Sequence, residues 1–465
     1  MIGNQRKAEA DFISWLNANG CMLENVAWPS FSSAGTGMDN ESERGVIALK
    51  SVPKYGVIFS LPFELIITVE AALKSSSIIG SIFNDENIRK RFPSFVQNES
   101  RILTVFLVCH RFQQKDSKWR HYIATLPEQT AFCDFLDEWT EEELVGLADN
   151  NIALLCRGCK AEIRNNFRDF VNILRSDIIG AINPAKLHFL EKSSDTLFQE
   201  YRWAYWIVES RAFMDRFCGD YSKPCLLPFA DMLNHCDKVT DSAEFKVDSK
   251  TGQPICFELH ASRDIMPGNS VYNSYGNRNN NELLLKYGFV IKNNIWESVR
   301  ISLPWVKHSN HNSDLSLFSV DRLLEKKKMV VDQFGNPQSQ ELFLRAVPSL
   351  ECLFFFRLWT CSDIDSLKKC QQNGMRNPVS LSLEIKTLKN IKYELDRKIS
   401  AISAKSELGQ NVIVNQKRTE ITRVFNETKL NILRSHRAFC EENLDLLTNL
   451  SNNLVGWEVY CGLFH

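Results

Sequence analysis

Apolar positions near the start of the chain fall three and four apart, at Ala8, Phe12, Trp15 and Leu16, with Gly20 just beyond them. That period belongs to a helix with one buried face, and glycine commonly follows a helix end. The spacing predicts a short leading helix. A stretch rich in Ser, Gly and Asn then runs from Ser32 to Ser42. Two runs of β-forming residues follow, Gly45–Leu49 and Gly56–Leu61, separated by Pro53 and Gly56. Glycine and proline punctuate strands, so a small β unit ending at Pro62 is predicted.

From about Val69 to Phe217 the period is helical, with polar breaks near Asp116, Asn150 and Asn183. Strand character returns at Cys225. Ala243–Val247 and Ile255–Leu259 flank Asp248-Ser-Lys-Thr-Gly252 as the arms of a hairpin flank its turn, and β structure is predicted up to about Tyr275. Beyond Trp305 the pattern is helical again. Leu381, Ile385, Leu388, Leu395 and Ile399 repeat along one face of a Lys- and Glu-rich helix. The predicted fold is α+β: a β core split by a long helical insert, then a helical C-terminal domain.

Composition bounds this picture. At 465 residues the chain exceeds one ordinary core. With 44% apolar and 24% charged residues it is not a disordered chain. A net charge of −1 supplies no global field for nucleic acid or an anionic membrane. The short basic run Glu325-Lys326-Lys327-Lys328 reads as a solvated helix face. Cys352–Trp359 is too short to cross a bilayer and carries Arg357, so it reads as a core helix. The opening residues lead straight into an amphipathic stretch, so no secretion signal is expected and the location expected is cytoplasmic or nuclear. Most of the 14 cysteines should then be buried thiols. Cys156-Arg-Gly-Cys159 is the one close pair and lacks the second half of a zinc site, so no metal is expected.

Four segments could carry chemistry. In Arg44-Gly45-Val46 a glycine at the start of a strand lets a ligand approach the backbone, although a plain turn glycine looks the same. Ser210-Arg211-Ala212-Phe213 falls within an aromatic helix drawn from Tyr201 to Phe217. Its arginine can grip a carboxylate with two prongs while Trp203, Trp206 and Phe213 wall a channel; a solvated arginine on an apolar helix is the plainer alternative. In Leu227–Cys236, Asp231, Asn234 and His235 interrupt an apolar run, where polar groups must be paired. Tyr275-Gly276 and Tyr287-Gly288-Phe289 form the last segment, and a buried, hydrogen-bonded tyrosine is its plain reading.

Taken in order and spacing, Arg-Gly-Val, Ser-Arg-Ala-Phe, Asp-Met-Leu-Asn-His, Tyr-Gly and Glu-Leu-Leu-Leu-Lys-Tyr-Gly-Phe make the chain resemble the SET-domain methyltransferases. The resemblance is to the subfamily of the Rubisco large-subunit lysine methyltransferase and the actin-histidine methyltransferase, and it runs from about residue 8 to the end. It implies residues 1–24 as an N-terminal helix, 25–300 as the SET domain with its insert at about 75–220, and 301–465 as a helical substrate-binding domain. It also implies S-adenosyl-L-methionine as cofactor and a lysine of a protein as acceptor. Arg44 and Val46 would meet the cofactor through their backbone beside Gly45, and Arg211 would hold its carboxylate. Asn234 and His235 would bind its adenine and aminocarboxypropyl parts, with Asp231 shaping the pocket. Tyr275 would be the catalytic tyrosine, Tyr287 and Phe289 would close the site, and Phe213 would line the acceptor channel.

An aromatic residue two positions after the arginine is common in the lysine-modifying relatives, whereas the actin-histidine branch carries a polar one, so Phe213 favours lysine. Histidine methylation, or an inactive scaffold that binds a partner through its helical domain, are the alternatives. The expected partner is a protein substrate, with the chain itself a monomer and neither membrane nor nucleic acid involved.

Overall fold

The structure is a computed structural model that describes residues 2–32, 43–75, 77–112, 117–176, 192–215, 223–236, 242–252, 254–302, 323, 325–327, 329–330, 341–345, 350–374, 377–413, 415–449, 457 and 460–462. The loop after Ser32 and the polar breaks near Asp116 and Asn183 lie outside them. The chain forms two compact units, one of Met1–Trp139 with Asn151–Phe289 and one of Thr140–Asn150 with Val290–His465.

In the first unit α1 (Ile2–Ala18) is followed by β1 (Val26–Ser32), β2 (Glu43–Ala48) and β3 (Val57–Pro62). The helical stretch includes α2 (Glu99–Phe112), α3 (Arg120–Ile123), α4 (Asn150–Leu174) and α5 (Ser194–Arg211). Then come β4 (Phe213–Asp215), β5 (Lys223–Cys225), β6 (Asn234–His235), β7 (Ser242–Val247), β8 (Pro254–His260), β9 (Ser270–Asn273) and α6 (Asn280–Tyr287). The two β parts, separated in sequence by the helices, interleave in space. One sheet has the order β1-β2-β9-β6 and another β3-β8-β7. Val46 pairs with Val271 and Phe59 with Leu259, both antiparallel. The predicted hairpin forms: the Asp248 carboxylate caps its turn by accepting from Lys250 N and Thr251 N, both at 2.8 Å.

β1 is absent from the sequence reading, because Val26, Trp28 and Pro29 give no clean alternation. The aromatic helix also stops earlier than predicted. Ala212 N closes the last helical bond on Val208 O at 2.9 Å, and Phe213 leaves to pair with Cys225. Trp203 and Trp206 are core residues and not channel walls. Trp203 donates to Pro127 O at 2.7 Å, and Trp206 packs edge-on to Phe135 with centroids 4.7 Å apart. Arg202 anchors the same helix through Asp137, at 2.6 and 2.9 Å. Cys156 Sγ donates to Leu136 O at 2.9 Å and Cys159 Sγ lies 3.8 Å from the Tyr205 hydroxyl, so both thiols are engaged within the first unit.

The second unit is helical, with α7 (Leu350–Thr360), α8 (Leu381–Val412) and α9 (Gln416–Asn449), and it adds a ribbon of β10 (Val299–Ser302) against β11 (Glu341–Leu344) where only helix was predicted. Its core holds a fully buried ion pair. Arg357 Nε meets the Glu384 carboxylate at 2.9 and 3.0 Å, and Tyr460 Oη and Val379 N donate to the same carboxylate at 2.9 and 3.2 Å. Lys327, read as solvated, is buried and donates to Trp359 O at 2.8 Å, in the last turn of α7, where helix carbonyls outnumber the helix's own donors. No helix among the described residues is long and apolar enough to cross a membrane.

Beneath α5, the buried His110 of α2 sits between two serines. Nε2 lies 3.0 Å from Ser75 Oγ, which itself donates to Ala72 O, while Nδ1 lies 2.7 Å from Ser117 Oγ, which accepts from Trp119 N. A neutral imidazole protonated at Nε2 satisfies all of these, and burial pushes its pKa down to about 4. A histidine depressed on folding stabilises above its ordinary pKa of about 6.5, and that contribution is lost as the pH falls toward the folded value. Thermal unfolding midpoints should therefore drop between about pH 7 and about pH 5 in the native chain, and His110→Gln should reduce the slope.

Candidate active site

The site is built on the segment from Phe229 to His235. Phe229 takes φ 78°, a strained conformation for a bulky residue, and its buried ring packs edge-on to Phe59 with centroids 5.1 Å apart. The kink starts a short 3-10 turn, Ala230–Met232, which sends the Asp231 side chain inward and releases Asn234 and His235 as β6. β6 runs parallel to β9, with Asn234 opposite Tyr272 and His235 opposite Asn273.

The Asp231 carboxylate has no exposed surface. Its Oδ2 accepts from the Tyr122 hydroxyl at 2.7 Å and lies 3.3 Å from Arg211 Nη1, which also donates to the Asp231 main-chain carbonyl at 2.8 Å. Oδ1 is buried without a hydrogen-bond partner among the described residues. Burial pushes the Asp231 carboxyl above its ordinary range, and the Arg211 charge and Tyr122 hydrogen bond only partly pull it back. The Tyr122 hydroxyl is driven well up by its own burial and then by the Asp231 charge. Arg211 ends α5 with a fifth of its side chain exposed. It uses Nη1 alone for these bonds; Nε and Nη2 make none among the described residues.

Asn234 reaches across to β2, where its Nδ2 lies 3.4 Å from Arg44 O. Gly45 makes room for this, since a Cβ there would lie 3.2 Å from the same Nδ2. The Arg44 side chain turns the other way, to Glu9 Oε1 at 3.0 Å and over the Trp28 ring at 5.5 Å. Val46 is buried against β9.

The aromatic residues close into a circuit. Tyr275 N donates to His235 Nδ1 at 3.1 Å, which leaves a neutral His235 protonated at Nε2, and the Tyr275 hydroxyl donates to Leu233 O at 3.0 Å. Tyr275 stacks on His235 at 5.0 Å and on Tyr287 at 4.7 Å, and Phe289 lies 6.2 Å from Tyr287 and 6.3 Å from His235. α6 delivers the last two rings. Asn279 and Glu282 cap its start reciprocally, at 3.0 and 3.1 Å, and Gly288 ends it at φ 75°. Only glycine fits there, because a Cβ would lie 2.6 Å from the Phe135 ring.

Ten of the eleven residues named from sequence therefore converge through the 231–235 segment, β2 and α6. Phe213 stands apart: among the described residues its ring contact is with Phe257, at 6.4 Å. Tyr122, Leu233 and Glu9 were missed. Tyr122 lies in the helical insert 109 positions from Asp231, Leu233 acts through a carbonyl that every residue has, and Glu9 looks like any charge on a helix. Chemically, the site offers a cationic fork with an uncommitted edge and, joined to it through the 231–235 segment, a wall of stacked rings, which suits an anionic group attached to an aromatic one.

The SET domain family pattern matches residues 43–276. Among curated relatives, the actin-histidine N-methyltransferase of Mus musculus is 24% identical over 77% of this chain and 53% of its own length. The chloroplastic fructose-bisphosphate aldolase-lysine N-methyltransferase of Arabidopsis thaliana is 29% identical over 61% of this chain and 52% of its own. The chain spans about half the length of the curated relatives it matches. A crystal structure of the SET domain of LSMT bound to lysine and AdoHcy superposes with a TM-score of 0.58, covering 95% of this chain and 92% of that one at 21% identity. That likeness establishes the fold.

A carboxyl whose pKa is raised by folding stabilises the fold at acid pH, and the contribution is lost as the pH rises through the folded value. Asp231→Asn cannot ionise. Its unfolding midpoint is expected to rise relative to the native chain between about pH 4 and about pH 7; a constant difference would show that the buried carboxylate bears no ionisation penalty.

Proposed function

From its membership of the SET-domain family, to which this chain belongs, we propose that it transfers a methyl group from S-adenosyl-L-methionine to a lysine side chain of a protein. The observation that carries the reading is the joining of the Arg211 fork to the Tyr275, Tyr287 and Phe289 rings through one five-residue segment.

The residues fit the cofactor. The open Nε and Nη2 edge of Arg211 suits its carboxylate, the cradle left by Gly45 beside Asn234 suits close backbone approach, and the stacked rings suit adenine. When bound, S-adenosyl-L-methionine supplies an electrophilic methyl group on a sulfonium, open to in-line displacement. What this chain adds is alignment, exclusion of water and control of protonation. A free lysine has a pKa of about 10.4, so only about one in two thousand is neutral at about pH 7. Enclosure by the stacked rings of Tyr275 and Tyr287 would disfavour the ammonium and raise the neutral fraction. Tyr275 is suited to orient the amine, because donation to Leu233 O fixes the direction of its hydroxyl hydrogen and so of its oxygen lone pairs.

Lysine is favoured over histidine by the motif alone, since Phe213 stands two positions after Arg211 where the lysine-modifying relatives commonly carry an aromatic residue. Histidine is the second reading, favoured by the actin-histidine methyltransferases among the relatives. Incubation of the purified chain with isotopically labelled cofactor and extract proteins, followed by mass-spectrometric mapping, decides between them. Label on lysine is expected; label on histidine would replace the reading with the second, and no label would remove both. Tyr275→Phe should lower kcat by about a hundredfold or more while the cofactor Kd stays within about threefold, measured by initial rates and calorimetry.

A further inference from the structure

Arg211 can grip a carboxylate only if its fork is held still, and the fork is held by Asp231 alone among the described side chains apart from a weak 3.9 Å contact with Met232 Sδ. The Asp231 carboxylate is in turn poorly anchored. Among the described residues one oxygen has no hydrogen-bond partner, and the other shares the 3.3 Å Arg211 contact with the much shorter bond from Tyr122. Tyr122 is set in the core. It is fully buried, its ring lies 6.1 Å from Phe12 of α1, and its carbonyl accepts from Thr125 Oγ1 at 2.7 Å.

We propose that Tyr122, contributed by the helical insert, is a positioning residue for recognition of the cofactor carboxylate: its hydroxyl fixes the Asp231 carboxylate, which sets the direction in which Arg211 presents its open edge. The proposal rests on the S-adenosylmethionine reading above. Removal of the hydroxyl leaves a buried carboxylate whose strongest bond is gone, and such a group either rotates or takes up a proton. Either response loosens Arg211 without touching the surfaces that meet adenine. The burial penalty on Asp231, offset in part by the Tyr122 bond, acts in the same direction.

The effect is therefore specific to one end of the ligand. Calorimetry on the full chain compares S-adenosyl-L-homocysteine, which carries the carboxylate, with 5′-methylthioadenosine, which lacks the aminocarboxypropyl group. Tyr122→Phe is expected to weaken the first by about tenfold and to leave the second within about twofold. Tyr122→Met, which also lacks the hydroxyl, should show the same contrast and serves should the phenylalanine variant not fold. Equal weakening of both ligands, or no weakening of the first, would overturn the proposal. Failure of the native chain to bind S-adenosyl-L-homocysteine would instead bring down the cofactor reading itself.

Discussion

β9 is paired along both edges at once, and the rest of the first unit depends on that. On one side Val46 and Ile47 of β2 face Val271 and Ser270; on the other Asn234 and His235 of β6 face Tyr272 and Asn273. These few backbone bonds draw together strands from before and after the helical insert. Closing so long a loop costs little more than closing a shorter one, because the entropic penalty grows only with the logarithm of length. The apolar core recovers that cost, since residues from both β parts and from the helices bury into one continuous cluster. A second antiparallel joint, β3 on β8, keeps the register from slipping.

Given that frame, the site is governed by how each buried charge is compensated. Two arginine–carboxylate pairs illustrate opposite solutions. In the second unit Arg357 and Glu384 are both without exposed surface, and the carboxylate is closed by a tyrosine hydroxyl and a backbone N–H. Such a pair suits a core, because both oxygens of its carboxylate are engaged. At Arg211 and Asp231 the carboxylate is buried but the guanidinium is left partly open, with one oxygen of the acid unmatched among the described residues. The second arrangement is less stable in isolation and keeps hydrogen-bonding capacity directed outward, as strained or incompletely satisfied groups at functional sites do.

Much of this was legible in the chain itself. Helical spacing at Phe12 and Leu16, the hairpin around Asp248 to Gly252, and the heptad-like run from Leu381 report local periods that burial then uses. The candidate site was legible wherever its residues stand in short motifs, as Arg44 to Val46, Arg211, Asp231 to His235, Tyr275 and Tyr287 to Phe289 do. Trp203 and Trp206 were misplaced because an aromatic residue on a helix looks the same whether it lines a cavity or fills a core. Lys327 was misplaced because a charge run carries no sign of a carbonyl waiting at another helix end.

The sequence alone thus determined most helices, the hairpin and the short motifs available for chemistry, because these depend on neighbours a few positions apart, whereas β1 and the β10–β11 ribbon did not show in its periods. Tertiary structure alone decided that Tyr122 meets Asp231, that Leu233 receives the Tyr275 hydroxyl, and that Glu9 turns Arg44 away from Asn234. Those contacts join residues that share no local period, and they exist only once strands on either side of the insert have paired.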